Sequence, residues 1–195
     1  MATIYDLKPA FQNLLRPLIN GLAKTGITPN QITIAALLLS IGMGLALAIT
    51  QGAQWLLILL PLVLLIRMAL NALDGMLAKT HNMQTRLGAM LNELGDVISD
   101  AALYLPFAFI PHTSALLVVL FVISAILTEM AGLLGVTRRY EGPMGKSDRA
   151  FLMGTLGLLL GLAILPYTWI NSIFIIAIIL SVLTIINRCR KGLSQ

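Results

Sequence analysis

Residues 54–73 read QWLLILLPLVLLIRMALNAL, and this stretch decides the fold class of the chain. It contains a single charged residue, Arg67. A helix of about 20 residues is about 30 Å long, which is the thickness of the hydrocarbon core of a bilayer. Backbone N–H and C=O groups find no water there, so a segment of this kind crosses the bilayer as a helix. We therefore expect residues 54–73 to form a transmembrane helix.

The rest of the chain has the same apolar character. Of the 195 residues, 58% are hydrophobic and 11% are charged, whereas soluble domains usually have about 25% charged residues. This composition excludes a soluble globular domain. Five further apolar segments approach the length of a membrane span: 31–50, 88–110, 114–136, 150–165 and 168–187. The sequence thus predicts an all-α polytopic membrane protein with six transmembrane helices.

A separate amphipathic segment precedes the first span. Its apolar residues recur at steps of three and four: Ile4, Leu7, Phe11, Leu14, Leu18 and Leu22. Such a stripe is typical of a helix that lies in the membrane interface, and equally of one that packs on its own bundle. We divide the chain into an N-terminal amphipathic interfacial helix, residues 1–26, and a six-helix membrane domain, residues 27–195.

The basic residues lie on one side of the predicted bundle. The links 50–54, 111–114 and 166–168 contain no Lys, Arg, Asp or Glu. Every Lys and Arg except Arg67 falls on the opposite side, in the terminal segments or in the two remaining links. Cytoplasmic loops carry an excess of Lys and Arg, so both termini should be cytoplasmic. The net charge of +5 then reflects membrane topology, and we expect no nucleic-acid partner.

Two polar stripes run along the second and third spans toward their cytoplasmic ends. Their members share one face of each helix: Arg67, Asn71 and Asp74 on the second span, and Glu93, Asp96 and Asp100 on the third. Ionisable groups in a membrane helix must face protein or water, and they serve both ion transporters and enzymes. The external half of the chain is almost wholly apolar, which disfavours a path through the membrane.

The spacing within these stripes indicates phosphate chemistry. The segment reads Asn71-x-x-Asp74-Gly75-x-x-Ala78-Lys79, then eight residues, then Gly88-x-x-x-Asn92-x-x-x-Asp96. Its four oxygen-bearing side chains stand one turn apart on each of two helices, an arrangement that suits Mg²⁺ or Mn²⁺. Gly75 and Ala78 have little or no side chain, so a nucleotide could approach the backbone beside the acids.

This segment resembles the signature of the CDP-alcohol phosphatidyltransferases, D-x-x-D-G-x-x-A-R, eight residues, G-x-x-x-D-x-x-x-D. The likeness extends to residues 28–33, TPNQIT, and to the six spans with cytoplasmic termini. It implies a bacterial inner-membrane enzyme, a homodimer, that transfers a phosphatidyl group from CDP-diacylglycerol, or a similar CDP-alcohol, to an acceptor hydroxyl with release of CMP. The resemblance also implies two bound metal ions, Mg²⁺ or Mn²⁺.

The resemblance assigns roles position by position. The metal-ligand positions are Asn71, Asp74, Asn92 and Asp96, of which Asp96 is also the general base. The positions near the cytidine and its phosphates are Gly75, Ala78, Lys79, Thr85, Gly88 and Thr33.

The chain departs from the family signature at three of these positions. Asparagine replaces aspartate at Asn71 and Asn92, and lysine replaces arginine at Lys79. An amide oxygen ligates Mg²⁺ without contributing charge, so we expect Glu93 and Asp100 to act as auxiliary acids. A one-metal site and a homologue that binds CDP-lipid without catalysis are the alternatives.

A basic loop before the fifth span is the second candidate site. Its basic residues are Arg138, Arg139, Lys146 and Arg149. Cytoplasmic topology and attraction to anionic lipids would by themselves account for such residues. The Gly-Lys pair that opens this span, however, resembles a segment near the acceptor pocket of related transferases. We therefore expect these four side chains to receive an anionic acceptor.

Overall fold

The computed structural model describes residues 8–134 and 137–194, and within these ranges the chain is helical, with no strand. The helices are α1 (Lys8–Lys24), α2 (Pro29–Ile49), α3 (Gln54–Thr80), α4 (Arg86–Tyr104), α5 (Ala115–Leu133), α6 (Lys146–Gly161) and α7 (Ile170–Leu193). Short 3₁₀ turns, Leu105–Phe109 and Tyr167–Trp169, follow α4 and precede α7. The all-α prediction is confirmed, and helices α2 to α7 coincide with the six predicted segments.

Four of the described helices are long and apolar enough to cross a membrane. They are α2, α3, α5 and the segment Tyr167–Leu193, which contains α7. Helix α4 carries the acidic stripe, and α6 has only 16 residues. The six-span topology therefore stays a prediction.

Helix α1 packs on the bundle through a face that overlaps the predicted stripe in part, because Phe11 and Leu22 of the stripe pack against α3 and its neighbours. Leu15 and Ile19 are buried in a cluster with Leu73 and Leu77 of α3. Leu14 of the predicted stripe is 74% exposed. The residues that face α3 are chosen by how the two helices dock, and spacing within α1 does not specify this. Leu18 is also exposed, whereas Ile4 and Leu7 lie outside the described residues.

Helix α3 runs through the first half of the motif and ends at Thr80, seven residues beyond the predicted end of the span. The helix contains Pro61 but no proline after it, and beyond its last residue Asn82 adopts a positive φ of 53° that turns the chain. The motif side chains of α3 are consequently displayed at helical intervals.

The start of α2 is set by a capping box. The Thr28 side chain accepts a hydrogen bond from the Gln31 backbone N–H, and the Gln31 side chain accepts one from the Thr28 N–H. These two bonds satisfy N–H groups that a helix start leaves unpaired. Pro29 in the first turn has the φ that a helix needs. The cap places Thr33 one turn into α2, where it faces α3.

Glycines bring α6 directly onto α3. Gly154, Gly157 and Gly161 recur on one face of α6, and a Cβ atom at Gly161 would lie 2.8 Å from the backbone oxygen of Gln54. Small residues of this kind let membrane helices approach backbone to backbone. This contact determines where Lys146, the first residue of α6, lies relative to the motif.

The half of the bundle opposite the polar stripes is filled by aromatic rings. Phe121 contacts Tyr104 in a tilted arrangement and Phe174 edge to face, with ring centroids 5.7 and 5.4 Å apart. Phe107 meets Phe174 edge to face at 6.3 Å. These rings form an apolar core, and Tyr104 at its edge lies within electrostatic range of Arg67 and Asp100 of the polar stripes.

Candidate functional site

The two halves of the motif meet across α3 and α4. Asn71 Nδ2 donates a 2.5 Å hydrogen bond to Asp96 Oδ1, which joins the first and last positions of the motif. Asp74, which is buried, accepts a 2.7 Å hydrogen bond from the Thr33 hydroxyl of α2. Asp74 also lies within electrostatic range of Asp96. Three helices thus bring both motif carboxylates into one polar site.

The remaining motif residues differ in what surrounds them. Asn92 is half-buried, one helical turn before Asp96 on α4, and Ala78 is half-buried on α3. Lys79 is exposed at the end of α3. Gly75 is exposed, and a Cβ atom there would meet no other atom within 4 Å. The site is therefore open at Gly75, where a ligand could lie against the α3 backbone.

Thr85 and Gly88, predicted near the nucleotide, have structural contacts. The Thr85 hydroxyl accepts a 2.9 Å hydrogen bond from the Gly88 N–H and caps α4. A Cβ atom at Gly88 would lie 2.7 Å from Asn30 Oδ1 of α2. Glycine at this position lets the start of α2 approach the start of α4. The nucleotide roles of both residues stay predictions.

Asp96 is surrounded by positive charge. Lys146 Nζ forms an ion pair with Asp96 Oδ1. Arg67, which is 1% exposed, donates a 3.1 Å hydrogen bond to the Asp96 backbone oxygen, and its Nη2 lies 3.7 Å from Asp96 Oδ1. The contacts of the Asp96 carboxylate among the described residues fall on Oδ1, so Oδ2 is the oxygen that can serve a reacting hydroxyl.

A buried ion network lies deeper in the bundle. Arg149, with 0% exposure, places Nη2 3.2 Å from Asp100 Oδ2 and 2.7 Å from Glu129 Oε1, and its Nη1 donates to the Thr128 hydroxyl at 2.8 Å. Arg67 Nη1 lies 2.6 Å from Asp100 Oδ1. Arg149 was predicted to receive the acceptor, but its guanidinium group is buried among protein side chains. Asp100 was predicted as an auxiliary acid, but its carboxylate faces two guanidinium groups.

Glu93 and Arg138 form a pair across the mouth of the site. The Arg138 guanidinium contacts both Glu93 oxygens, with Nη2 3.0 Å from Oε2. Burial lowers the pKa of Arg138, but the hydrogen bonds and charge of Glu93 outweigh this and raise the pKa above its ordinary value. Helical spacing suggested Glu93 as an auxiliary acid, and the resemblance of the basic loop to related transferases suggested Arg138 as an acceptor ligand. In the structure they neutralise each other.

The loop that carries these basic residues is tied to the end of α7. Arg139 Nη2 donates to the Lys191 backbone oxygen at 3.2 Å, and Arg139 Nη1 lies 3.4 Å from Glu141 Oε1. Arg188 donates to the backbone oxygens of Thr128, at 2.5 Å, and Glu141, at 3.2 Å. These bonds hold the loop against α5 and α7.

Sequence reasoning missed Arg188, because a basic residue near a terminus suggests only attraction to the anionic membrane surface. Arg188 is in fact buried. The available signal was periodicity along α7, whose buried polar and small residues recur at steps of three and four: Ala177, Ser181, Thr184 and Arg188.

The donor set fits a cation that is shared with substrate. No three His, Cys, Asp or Glu side chains form a potential metal site within the described ranges, because two of the four motif positions are asparagines. Mg²⁺ at phosphate-handling sites is usually held by one or two carboxylates, with water and substrate phosphate completing its shell. Asp74 and Asp96 match that pattern, and the amide oxygens of Asn71 and Asn92 are further hard ligands.

Comparison with known proteins agrees with this geometry. The family model described as CDP-alcohol phosphatidyltransferase matches residues 26–186. Inner membrane protein YnbA of Escherichia coli is 55% identical over 98% of this chain and 96% of its own length. The phosphatidylinositol phosphate synthase of Corynebacterium glutamicum is 32% identical over 53% of this chain and 45% of its own length.

Solved structures share the fold. The phosphatidylinositol phosphate synthase of Mycobacterium tuberculosis with CDP-DAG bound superposes with a TM-score of 0.76 at 19% identity, covering 91% of this chain and 92% of that one. The same enzyme in complex with manganese and citrate has a TM-score of 0.76 at 20% identity, covering 92% and 88%. From its motif, its fold and the match over residues 26–186, this chain belongs to the CDP-alcohol phosphatidyltransferase family.

Proposed function

We propose that this protein transfers a phosphatidyl group from CDP-diacylglycerol, or a related CDP-alcohol, to an acceptor hydroxyl and releases CMP. The observation that carries the proposal is the meeting of Asp74 and Asp96 with the open Gly75 in one polar site. A relative of the same fold was solved with CDP-DAG bound. A lipid donor also requires a site near the membrane surface that it can enter from the bilayer.

The donor would bind along the end of α3. Its cytidine and phosphates would lie against the backbone at Gly75 and Ala78, with Lys79 as a point charge for phosphate. Thr33 would act mainly through Asp74, which it holds by a 2.7 Å hydrogen bond. The acyl chains would remain in the hydrocarbon region beside the bundle.

Asp96 is the proposed general base. The acceptor oxygen forms a new bond to the lipid-linked phosphorus, the bond from that phosphorus to the CMP oxygen breaks, and the acceptor proton passes to Asp96 Oδ2. Asn71 and Lys146 hold Oδ1 and so orient the carboxylate. Arg67 supports the same residue from within the bundle.

We propose that a divalent cation, Mg²⁺ or Mn²⁺, is bound at the oxygen ligands Asn71, Asp74, Asn92 and Asp96. The relative solved with manganese and citrate supports a cation in this fold. When bound, the cation would neutralise the charge that develops on the pyrophosphate.

The acceptor would reach the site from the loop before α6. Among the predicted acceptor ligands, Lys146 contacts the motif acid Asp96, and Arg138 contacts Glu93, which follows the motif residue Asn92. Arg139 and Arg149 would position the loop and α6, because their guanidinium groups are engaged by neighbouring residues.

The membrane placement is also a proposal. We infer six spans, cytoplasmic termini, a homodimer and a bacterial inner membrane. The relative named as an inner membrane protein supports the location. Apolar side chains on α4 are exposed at helical spacing, namely Leu87, Met90, Leu94 and Ile98. A helix in water would not expose such a stripe, so this one is suited to lipid.

A CDP-lipid-binding protein without catalysis is the second candidate. The observation that favours it is the loss of two carboxylates at Asn71 and Asn92. Binding of CDP-diacylglycerol with no turnover on any acceptor would support this alternative.

The decisive experiment is CMP release by the purified, detergent-solubilised protein. The assay would contain CDP-diacylglycerol, Mg²⁺ or Mn²⁺, and one of serine, inositol, inositol phosphate, glycerol 3-phosphate or phosphatidylglycerol. Release that requires one acceptor, is abolished by EDTA and is lost in Asp96→Asn would establish the transferase. An unfolding measurement on Asp96→Asn would check that loss of CMP release does not come from loss of the fold. Flux across proteoliposomes without CMP release would instead indicate a transporter.

A further inference from the structure

Lys146 is held against the motif by the fold. It is the first residue of α6, and the start of α6 is capped by Asp148 Oδ2, which accepts a 3.0 Å hydrogen bond from the Gly145 N–H. The α6 glycines then pack directly on α3. The ammonium group therefore reaches Asp96 from a rigid helix start rather than from a mobile surface segment.

The charges at Asp96 leave little room for another cation. Its Oδ1 faces the Lys146 ammonium and lies 3.7 Å from the Arg67 guanidinium. Asn71 presents its amide nitrogen to the same oxygen, so only the Asn71 oxygen is left to ligate a metal. In the family signature, the positions of Asn71 and Asn92 would each supply a carboxylate.

We propose that the Lys146 ammonium takes the place of one divalent cation, so that the chain binds a single Mg²⁺ or Mn²⁺, with Asp74 as its main charged ligand. The inference rests on the proposed function, because it concerns the cation that the donor pyrophosphate would share. Lys146 already balances the charge of Asp96, so Asp74 and the donor pyrophosphate are left to balance one divalent cation. A second divalent cation beside Lys146 would find no carboxylate to balance it.

A built-in ammonium differs from a bound metal ion in a measurable way. Its charge is covalently attached, so chelators do not remove it and its occupancy does not depend on metal concentration. The number of metal ions bound per chain is therefore the direct readout, and it can be counted without turnover.

The experiment is a count of Mn²⁺ bound to the purified full-length protein. MnCl₂ is titrated into protein in detergent micelles with CDP-diacylglycerol and no acceptor, and free Mn²⁺ is followed by electron paramagnetic resonance. We expect one Mn²⁺ per chain for the wild type and for Lys146→Arg, which keeps the charge. Lys146→Gln should bind a second Mn²⁺. Lys24→Gln, which removes an exposed lysine from α1, should remain at one.

Two Mn²⁺ ions on the wild type, or none, would overturn the proposal, as would Lys146→Gln remaining at one while folded. If Lys146→Gln does not fold, two Mn²⁺ ions on the wild type or on Lys146→Arg still overturn the proposal. Because the count needs no turnover, it separates the two proposals. One bound Mn²⁺ without CMP release would support the single-cation inference and refute the transferase. CMP release with two bound Mn²⁺ ions would support the transferase and refute the single-cation inference.

Discussion

Arg149 Nη2 lies 2.7 Å from Glu129 Oε1, and the arginine is fully buried between α4, α5 and α6. The same guanidinium group also contacts Asp100. An arginine in this position links three helices beneath the motif. We infer that this arginine holds the site together, because its guanidinium group is buried and engaged by two carboxylates.

Replacing Arg149 by leucine should strongly destabilise the protein. Removal of one partner of a buried ion pair leaves the other charge without compensation and costs about 3–5 kcal/mol. Unfolding by denaturant in detergent micelles measures the change. The double variant Arg149→Leu/Glu129→Leu should recover part of the loss, and Arg190→Gln, an exposed residue of α7, is the control. A change no larger for Arg149→Leu than for Arg190→Gln would contradict this role.

The pair Glu93 and Arg138 should control the acceptor rather than stability. Both side chains are partly exposed, and exposed ion pairs contribute about 0–1 kcal/mol. Glu93→Gln removes the carboxylate that neutralises Arg138, so the KM for a phosphorylated acceptor should fall while the donor KM remains the same. Steady-state kinetics with glycerol 3-phosphate and inositol phosphate measures this change. If both KM values move together, Arg138 does not select the acceptor.

Gly75→Ala should weaken donor binding without loss of stability. A Cβ atom at Gly75 meets no protein atom, and alanine is a better helix former than glycine by about 1 kcal/mol. The new methyl group would occupy the space where the nucleotide approaches, so the donor KM should rise. Titration with CDP-diacylglycerol measures binding, and thermal unfolding measures stability.

Two matched glycine variants control that experiment. Gly161→Ala places a methyl group 2.8 Å from the Gln54 backbone oxygen, so it should destabilise the contact of α6 with α3. Gly21→Ala lies on α1 with open space around it, so it should leave donor binding unchanged and, like Gly75→Ala, should not lower stability. Unchanged donor binding in Gly75→Ala would argue against a nucleotide at α3.

Asn71→Asp should make stability more dependent on metal. The Asn71 amide nitrogen donates to Asp96, and an aspartate there would put a second negative charge at the same oxygen. Like charges at this distance repel unless a cation lies between them. The variant should have a lower Tm than the wild type in EDTA, and MnCl₂ should raise its Tm by a larger amount. Equal Mn²⁺ shifts in both proteins would refute this expectation.

The local part of the fold was predictable from sequence because it depends on short-range physics. The positions of helices α2 to α7 follow from apolar segments of membrane length. The beginning of α2 follows from the residues of a capping box. The motif residues fall on the facing sides of α3 and α4 because their spacing matches the helical repeat. The family followed from the same spacing.

The ion pairs were predicted less well than the helices, because oppositely charged side chains pair when they are close in space, whatever their separation in the sequence. Helical spacing suggested that Glu93 and Asp100 would support a metal, and resemblance of the loop to related transferases suggested that Arg138 and Arg149 would receive an acceptor. In the folded chain these acids and arginines pair with each other. Which acid an arginine meets depends on the rotation and approach of whole helices.

The sequence by itself determined the helices, the apolar composition and the spacing of the motif, since each depends on residues within a few turns of one another. Tertiary structure alone decided that Lys146 lies on Asp96, that Arg188 ties the loop to α5 and α7, and that the site is open at Gly75. These features join residues distant in the chain. They arise from the close approach of helix backbones, which glycine makes possible, and from the ion pairs that this approach selects.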